Sequence, residues 1–94
     1  MIEIALQENG NVSLIGRLDA AQAAVAQDYL DQAGVEFSLD LSGLEYISSA
    51  GLGVLLKTHK RLVGAGQGLK LVNVSHHIKD VFKYSGFDKL FTIV

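Results

Sequence analysis

The strongest constraint on this chain is a change of period inside one apolar stretch, LDLSGLEYISSAGLGVLLK, from Leu39 to Lys57. Ahead of its centre, Val35, Phe37, Leu39 and Leu41 alternate with Glu36, Ser38 and Asp40, which is the period of a strand. Leu44, Tyr46 and Ile47 continue that apolar path. Beyond the centre, Leu52, Leu55, Leu56, His59, Leu62 and Val63 recur at spacings of three and four, which is the period of a helix. The handover falls on Ser48-Ser49-Ala50-Gly51. Such a chain must lay a helix against the sheet that holds the preceding strand, and that requirement defines an α/β layer structure.

The rest of the chain repeats the alternation. Ile2, Ile4 and Leu6 alternate with polar or small residues, Asn9-Gly10-Asn11 carries the favoured hairpin dipeptide, and Val12, Leu14 and Ile15 form the returning strand. Asp19 caps an alanine-rich helix, AAQAAVAQDYLDQA, whose apolar side holds Val25, Tyr29, Leu30 and Ala33 and which Gly34 ends. The strand LKLVNV follows the glycine-rich loop Gly64–Gly68. A helix over HHIKDVFKYSGF places Ile78, Val81, Phe82 and Ser85 on one side and stops at Gly86, with Phe87 folding back over its last turn. A short strand, Phe91 to Val94, closes the chain. The expected order is β-β-α-β-α-β-α-β. The opening hairpin makes the sheet mixed, and right-handed crossovers place the helices mainly on one face unless the strand order reverses.

Bulk properties restrict what such a fold can do. The 94 residues predict one domain spanning 1–94, large enough for a single core. A net charge of -2 with no basic run argues against a nucleic-acid partner. Without cysteine there is no disulfide or thiolate chemistry. No apolar run reaches the length that crosses a bilayer, and MIEIALQENG lacks the pattern of a signal peptide. The expectation is a cytoplasmic domain with no membrane insertion.

The chemistry concentrates at the handover. A serine hydroxyl before a helix accepts a hydrogen bond from a first-turn N–H, a contribution of about 1 kcal/mol. Capping alone leaves Gly51 and Gly53 unexplained, because a helical glycine costs up to ~1 kcal/mol against alanine. They suggest that something approaches the backbone closely. Unpaired N–H groups and the helix dipole make the same end tolerant of an anion, so a serine there is a hydroxyl beside a phosphate-compatible site.

The segment DLSGLEYISSAGLGVLL resembles the signature of the STAS domain family, the bacterial anti-sigma factor antagonists and their relatives. GRLDA resembles the family's loop before its first helix, and IKDVFKYSGFDKLFTI its closing helix and strand, so the likeness runs in order over nearly the whole chain. The resemblance implies an anti-sigma factor antagonist, not an enzyme, that binds a serine-kinase anti-sigma factor. Phosphorylation of one serine ends the binding and a serine phosphatase restores it. That serine corresponds to Ser49, with Ser48 as second choice, and Asp19 corresponds to an acid near the partner surface. Asp19, Ser48, Ser49, Ala50, Gly51, Gly53 and Lys57 are the expected partner-binding residues. Ser48 stands where the family carries an aspartate. This departure leaves one alternative, a partner-binding or scaffold module that works without phosphorylation in a signalling complex or beside a transporter.

Other features point to no further chemistry. The Gly64–Gly68 glycines follow a helix and precede a strand, the reverse of a dinucleotide-binding loop. His59, His76 and His77 lack the spacing of a metal site, and no cofactor is implied. Ser49 lacks the Gly-x-Ser-x-Gly elbow of a serine hydrolase. Lys57, Lys60 and Arg61 read as a solvated helix face.

Overall fold

The computed structural model describes all residues, 1–94. Strands Ile2–Leu6 (β1) and Val12–Leu18 (β2) form the antiparallel hairpin, closed where the Gln7 N–H donates to the Asn11 carbonyl at 2.7 Å. Helix Ala23–Asp31 (α1) leads to strands Ser38–Asp40 (β3) and Leu44–Ile47 (β4). Helix Ser49–Gly64 (α2), strand Lys70–Val72 (β5), helix His76–Ser85 (α3), a 3-10 turn at Phe87–Lys89 and strand Thr92–Ile93 (β6) complete the chain. The sheet runs β1-β2-β3-β5-β6, with β4 also beside β2, and every pairing except β1–β2 is parallel. From β2 onward the order never reverses, so the three crossovers carry their helices to one face.

There are six strands where the periodicity suggests five. Residues 38–47 run along β2 as one interrupted strand, first as β3 and then as β4. Asp40 makes the break. Its Oδ1 accepts from the Ser42 N–H at 2.9 Å, and the Leu44 N–H donates to the Leu41 carbonyl at 3.1 Å, which turns the backbone out of the ladder. The expected strand also starts late, for Val35 is exposed in the bend after α1.

Eighteen residues form one core. Val12, Leu14 and Leu18 of β2, Leu39 of β3 and Leu71 of β5 point to the helices and meet Ala26 and Leu30 of α1, Leu55 and Leu62 of α2, and Ile78 and Phe82 of α3. Each fully buried leucine contributes about 1.5–3 kcal/mol. Phe91 ties the far end together, edge-on to Phe82, Phe87 and His59. Gly86 ends α3 in the left-handed conformation at φ 80°, as glycine alone does at little cost.

The helix faces shift from expectation in two places. α1 buries Ala26 and Leu30, while Val25 is exposed and Tyr29 half-buried. The helix meets the core through the small Ala26 together with Leu30. α2 buries Val54 and Thr58 with Leu55 and Leu62, and exposes Val63. Arg61 is more than a solvated cation. Its guanidinium donates to the carbonyls of Leu30 at 2.7 Å and Gly34 at 2.8 Å, satisfying the open C-terminal end of α1.

Candidate functional site

Ser48 and Ser49 are neighbours with opposite roles. Ser48 has extended backbone, φ -89° and ψ 175°, and is the N-cap of α2. Its Oγ accepts from the Gly51 N–H at 3.1 Å and donates to the Leu18 carbonyl at 3.3 Å. Its own N–H donates to the same carbonyl at 3.0 Å. Leu18 therefore pins the helix start to the end of β2, and the Ser48 hydroxyl is fully committed. Ser49 is the first helical residue. It is exposed, and its hydroxyl has no partner within the chain. No acidic side chain occupies the first turn of α2, so the positive end of the helix dipole faces solvent beside that hydroxyl.

The two glycines also separate. A Cβ on Gly51 would lie 2.5 Å from the Leu18 carbonyl oxygen and 2.8 Å from Ile47 Cγ1. Gly51 is buried, so the close approach it permits is that of β2 and not of a visitor. The expectation that it forms part of a partner surface is corrected on this ground. A Cβ on Gly53 would meet no atom within 4 Å, so that position is open to approach.

Gly53 lies in a shallow groove between α1 and α2 of about 610 Å³. Ala50, Gly53, Leu56 and Lys57 form one wall and Ala24, Gln27 and Asp28 the other. Ala50 and Lys57 are exposed. The structure thus brings Ser49, Ala50, Gly53 and Lys57 onto one surface. Asp19 follows Leu18 directly and is half-buried, so it sits beside the helix start that Leu18 anchors. Its Oδ1 accepts from the Gln22 N–H at 3.2 Å, capping the turn that precedes α1 and not the first residue of the helix. The α1 wall is invisible in the sequence because Ala24 and Asp28 look like ordinary solvated helix residues.

The polar groups elsewhere are structural. Asp40 is buried on the sheet face away from the helices, taking Gln7 Nε2 at 2.9 Å and Asn73 Nδ2 at 3.3 Å on Oδ2. Burial alone would raise its pKa, but donation by Gln7, the Ser42 backbone, the Ser42 side chain and Asn73 outweighs that and holds the carboxyl below its ordinary value of 3.8. His59 Nδ1 accepts from the Leu69 N–H at 3.0 Å, and exposed His76 lies 3.5 Å from Asp80. No three His, Asp or Glu side chains converge as metal ligands. No helix is long and apolar enough to cross a membrane.

A mixed sheet with three helices on one side, and a serine pair opening the central helix, defines the class of domain. The family model described as "Mlab, STAS domain" matches residues 4–94, and the chain belongs to the STAS domain family. BtrV of Bordetella bronchiseptica, provisionally described as an anti-sigma factor antagonist, is 36% identical over 93 residues, covering 99% of this chain and 77% of its own. The anti-sigma-B factor antagonist of Bacillus subtilis is 29% identical over 98 residues, covering 98% of this chain and 90% of its own. The Bacillus cell fate determinant SpoIIAA, an anti-sigma factor antagonist, shares the fold in both solved forms. The unphosphorylated form has a TM-score of 0.70 at 16% identity, covering 100% of this chain and 87% of that one. The phosphorylated form has a TM-score of 0.70 at 18% identity, covering 100% and 91%.

Proposed function

We propose that this domain is an anti-sigma factor antagonist that docks a serine-kinase anti-sigma factor through the start of α2, and that phosphorylation of Ser49 releases it. The observation that carries this reading is the division of labour between adjacent serines. Ser48 holds the helix, and Ser49 offers an unengaged hydroxyl at its exposed tip. The names of the two sequence relatives support the class of partner. The domain catalyses nothing itself; the kinase brings ATP and Mg²⁺, and a serine phosphatase reverses the mark.

A phosphate adds roughly -1.5 to -2 charges and three acceptor oxygens. At the N-terminus of α2 it meets the positive helix dipole and no carboxylate from the helix's own first turn; the nearby Asp19 offsets part of that attraction, so the gain to the fold is at most ~1 kcal/mol. In a docked interface the same charge lacks a partner, at a cost of about 2–5 kcal/mol. Since about 1.4 kcal/mol is tenfold, affinity falls by roughly thirty- to several-thousand-fold. A phosphate on Ser48 would instead remove the proton donated to the Leu18 carbonyl and set negative oxygens against that carbonyl, loosening the attachment of the helix start to β2.

Isothermal titration of the kinase into the domain, before and after stoichiometric modification at Ser49, tests the reading. The expected result is tight binding that modification weakens by roughly thirty-fold or more. Binding unchanged by modification would assign the domain to the phosphorylation-independent scaffold class, which the serine at position 48 in place of the family's acid favours.

A further inference from the structure

β1 is one of the two edges of the sheet, with the two-residue β6 at the other, and its backbone pattern shows what is left unpaired. The Arg17 N–H donates to the Met1 carbonyl at 3.1 Å, and the Gln7 N–H to Asn11 at 2.7 Å. Antiparallel partners alternate between hydrogen-bonded and non-bonded pairs. Met1, Glu3, Ala5 and Gln7 therefore turn their backbone groups to β2, and the N–H and C=O of Ile2, Ile4 and Leu6 face outward at the edge.

The same three residues carry the apolar side chains of β1. They share a face with Gly16, Leu14 and Val12, the face that meets the helices. Beside them runs a groove of about 760 Å³, walled on the other side by Val25 and Tyr29 of α1 and by Phe37. Leu6 is 69% exposed and Val25 60%, unusual values for large apolar side chains that face one another across a groove. Sheet edges are commonly guarded by proline, lysine or a bulge. Between Ile2 and Leu6 this edge has none of these, and its single charge, Glu3, lies on the face away from the helices.

We propose that the β1 edge pairs with β1 of a second copy of this chain, antiparallel about a two-fold axis through Ile4. That register sets Ile4 against Ile4 and Ile2 against Leu6 on the helix face. On the other face it sets Glu3 against Ala5, so no like charges meet. The outward groups of Ile2, Ile4 and Leu6 find each other across the axis, and the exposed apolar side chains of Leu6 and Val25 leave water. The segment IEIAL is thus complementary to itself, in charge as well as in its apolar period. The pairing leaves the Ser49 surface accessible, because Val25 and Tyr29 lie on the side of α1 toward β1 while Ala24 and Asp28 face α2. The proposal stands whether or not Ser49 is phosphorylated.

The test is sedimentation equilibrium of the full chain over a wide concentration range, with hydrogen exchange read at single amides. The expected result is a mass twice 10.1 kDa at high concentration, with the Ile2, Ile4 and Leu6 amides protected there and released on dilution. Leu6→Pro removes only an outward N–H, so it should halve the mass while leaving far-ultraviolet circular dichroism unchanged. Leu6→Lys should do the same through its charge. A monomer at all concentrations overturns the proposal, as does a dimer whose Ile4 and Leu6 amides exchange freely. The exchange result on the parent chain decides the matter even if a variant fails to fold. A monomer whose groove binds the apolar dye anilinonaphthalene sulfonate, and loses it in Leu6→Lys, overturns the proposal in favour of a small apolar ligand.

Discussion

Two helices in this molecule begin in nearly the same way. α2 opens on Ser48, whose hydroxyl takes the Gly51 N–H at 3.1 Å, and α3 opens on Ser75, whose hydroxyl takes the Ile78 N–H at 3.3 Å. Past the cap they diverge. α3 continues with exposed His76 and His77 and then buried Ile78, which anchors the turn by ordinary apolar packing. α2 continues with exposed Ser49 and Ala50 and then Gly51, whose missing side chain lets the helix backbone press against Leu18. The cap is thus a common device that carries no functional information. What sets α2 apart is a first turn with no bulk, a second hydroxyl left unused, and attachment to the sheet through Leu18.

The largest effect that would sharpen this comparison is at Gly51. Gly51→Ala forces a methyl to within 2.5 Å of a backbone oxygen, and we expect a loss of about 1–3 kcal/mol in urea unfolding. An unchanged midpoint would mean that α2 stands off the sheet. Next come the caps. Ser75→Ala should cost about 1 kcal/mol, and Ser48→Ala up to about 2 kcal/mol, since Ser48 also donates to Leu18. Equal losses would break the distinction drawn between the two starts. Gly53→Ala should stabilise by up to ~1 kcal/mol, because its methyl enters open space.

A smaller, pH-dependent effect contrasts the engaged acid Asp40 with the unengaged Ser49. The folded-state pKa of Asp40 is depressed, so its contribution is fully present above the unfolded value near 3.8. That contribution is lost as pH falls through the folded value. Acid titration of stability should be shallower over that range in Asp40→Asn. Ser49→Ala is expected to change stability least, within about 0.5 kcal/mol, while removing the proposed site of modification.

Much of this architecture is legible in the residues, and the failures have a common cause. The period change at Ser48 locates the start of α2, and Gly86 ends α3 where expected, because cap chemistry is local. The break between β3 and β4 is a local turn at Asp40 and Ser42, and it is hidden because Leu41 and Leu44 carry the apolar pattern across it, while the donors that hold the Asp40 carboxylate in place, Gln7 and Asn73, are each 33 residues away. Gly51 stands out as anomalous, yet its neighbour Leu18 is distant in sequence. A glycine signals close approach without saying by what. Arg61 looks like surface charge because its acceptors lie at the end of another helix. Size alone would place Val25 in the core, but α1 packs through the smaller Ala26. The Ser49 site is readable as a position, while the face it shares with α1 is not.

The claim at the centre is that adjacent serines divide the work, one holding the helix and the other standing open at its tip. Incubation with the cognate kinase and ATP, followed by mass spectrometry of the peptide spanning both residues, addresses it directly in the parent, Ser48→Ala and Ser49→Ala. We expect one added phosphate on Ser49 in the parent and in Ser48→Ala, and none in Ser49→Ala. Phosphate on Ser48, or its persistence in Ser49→Ala, would contradict it.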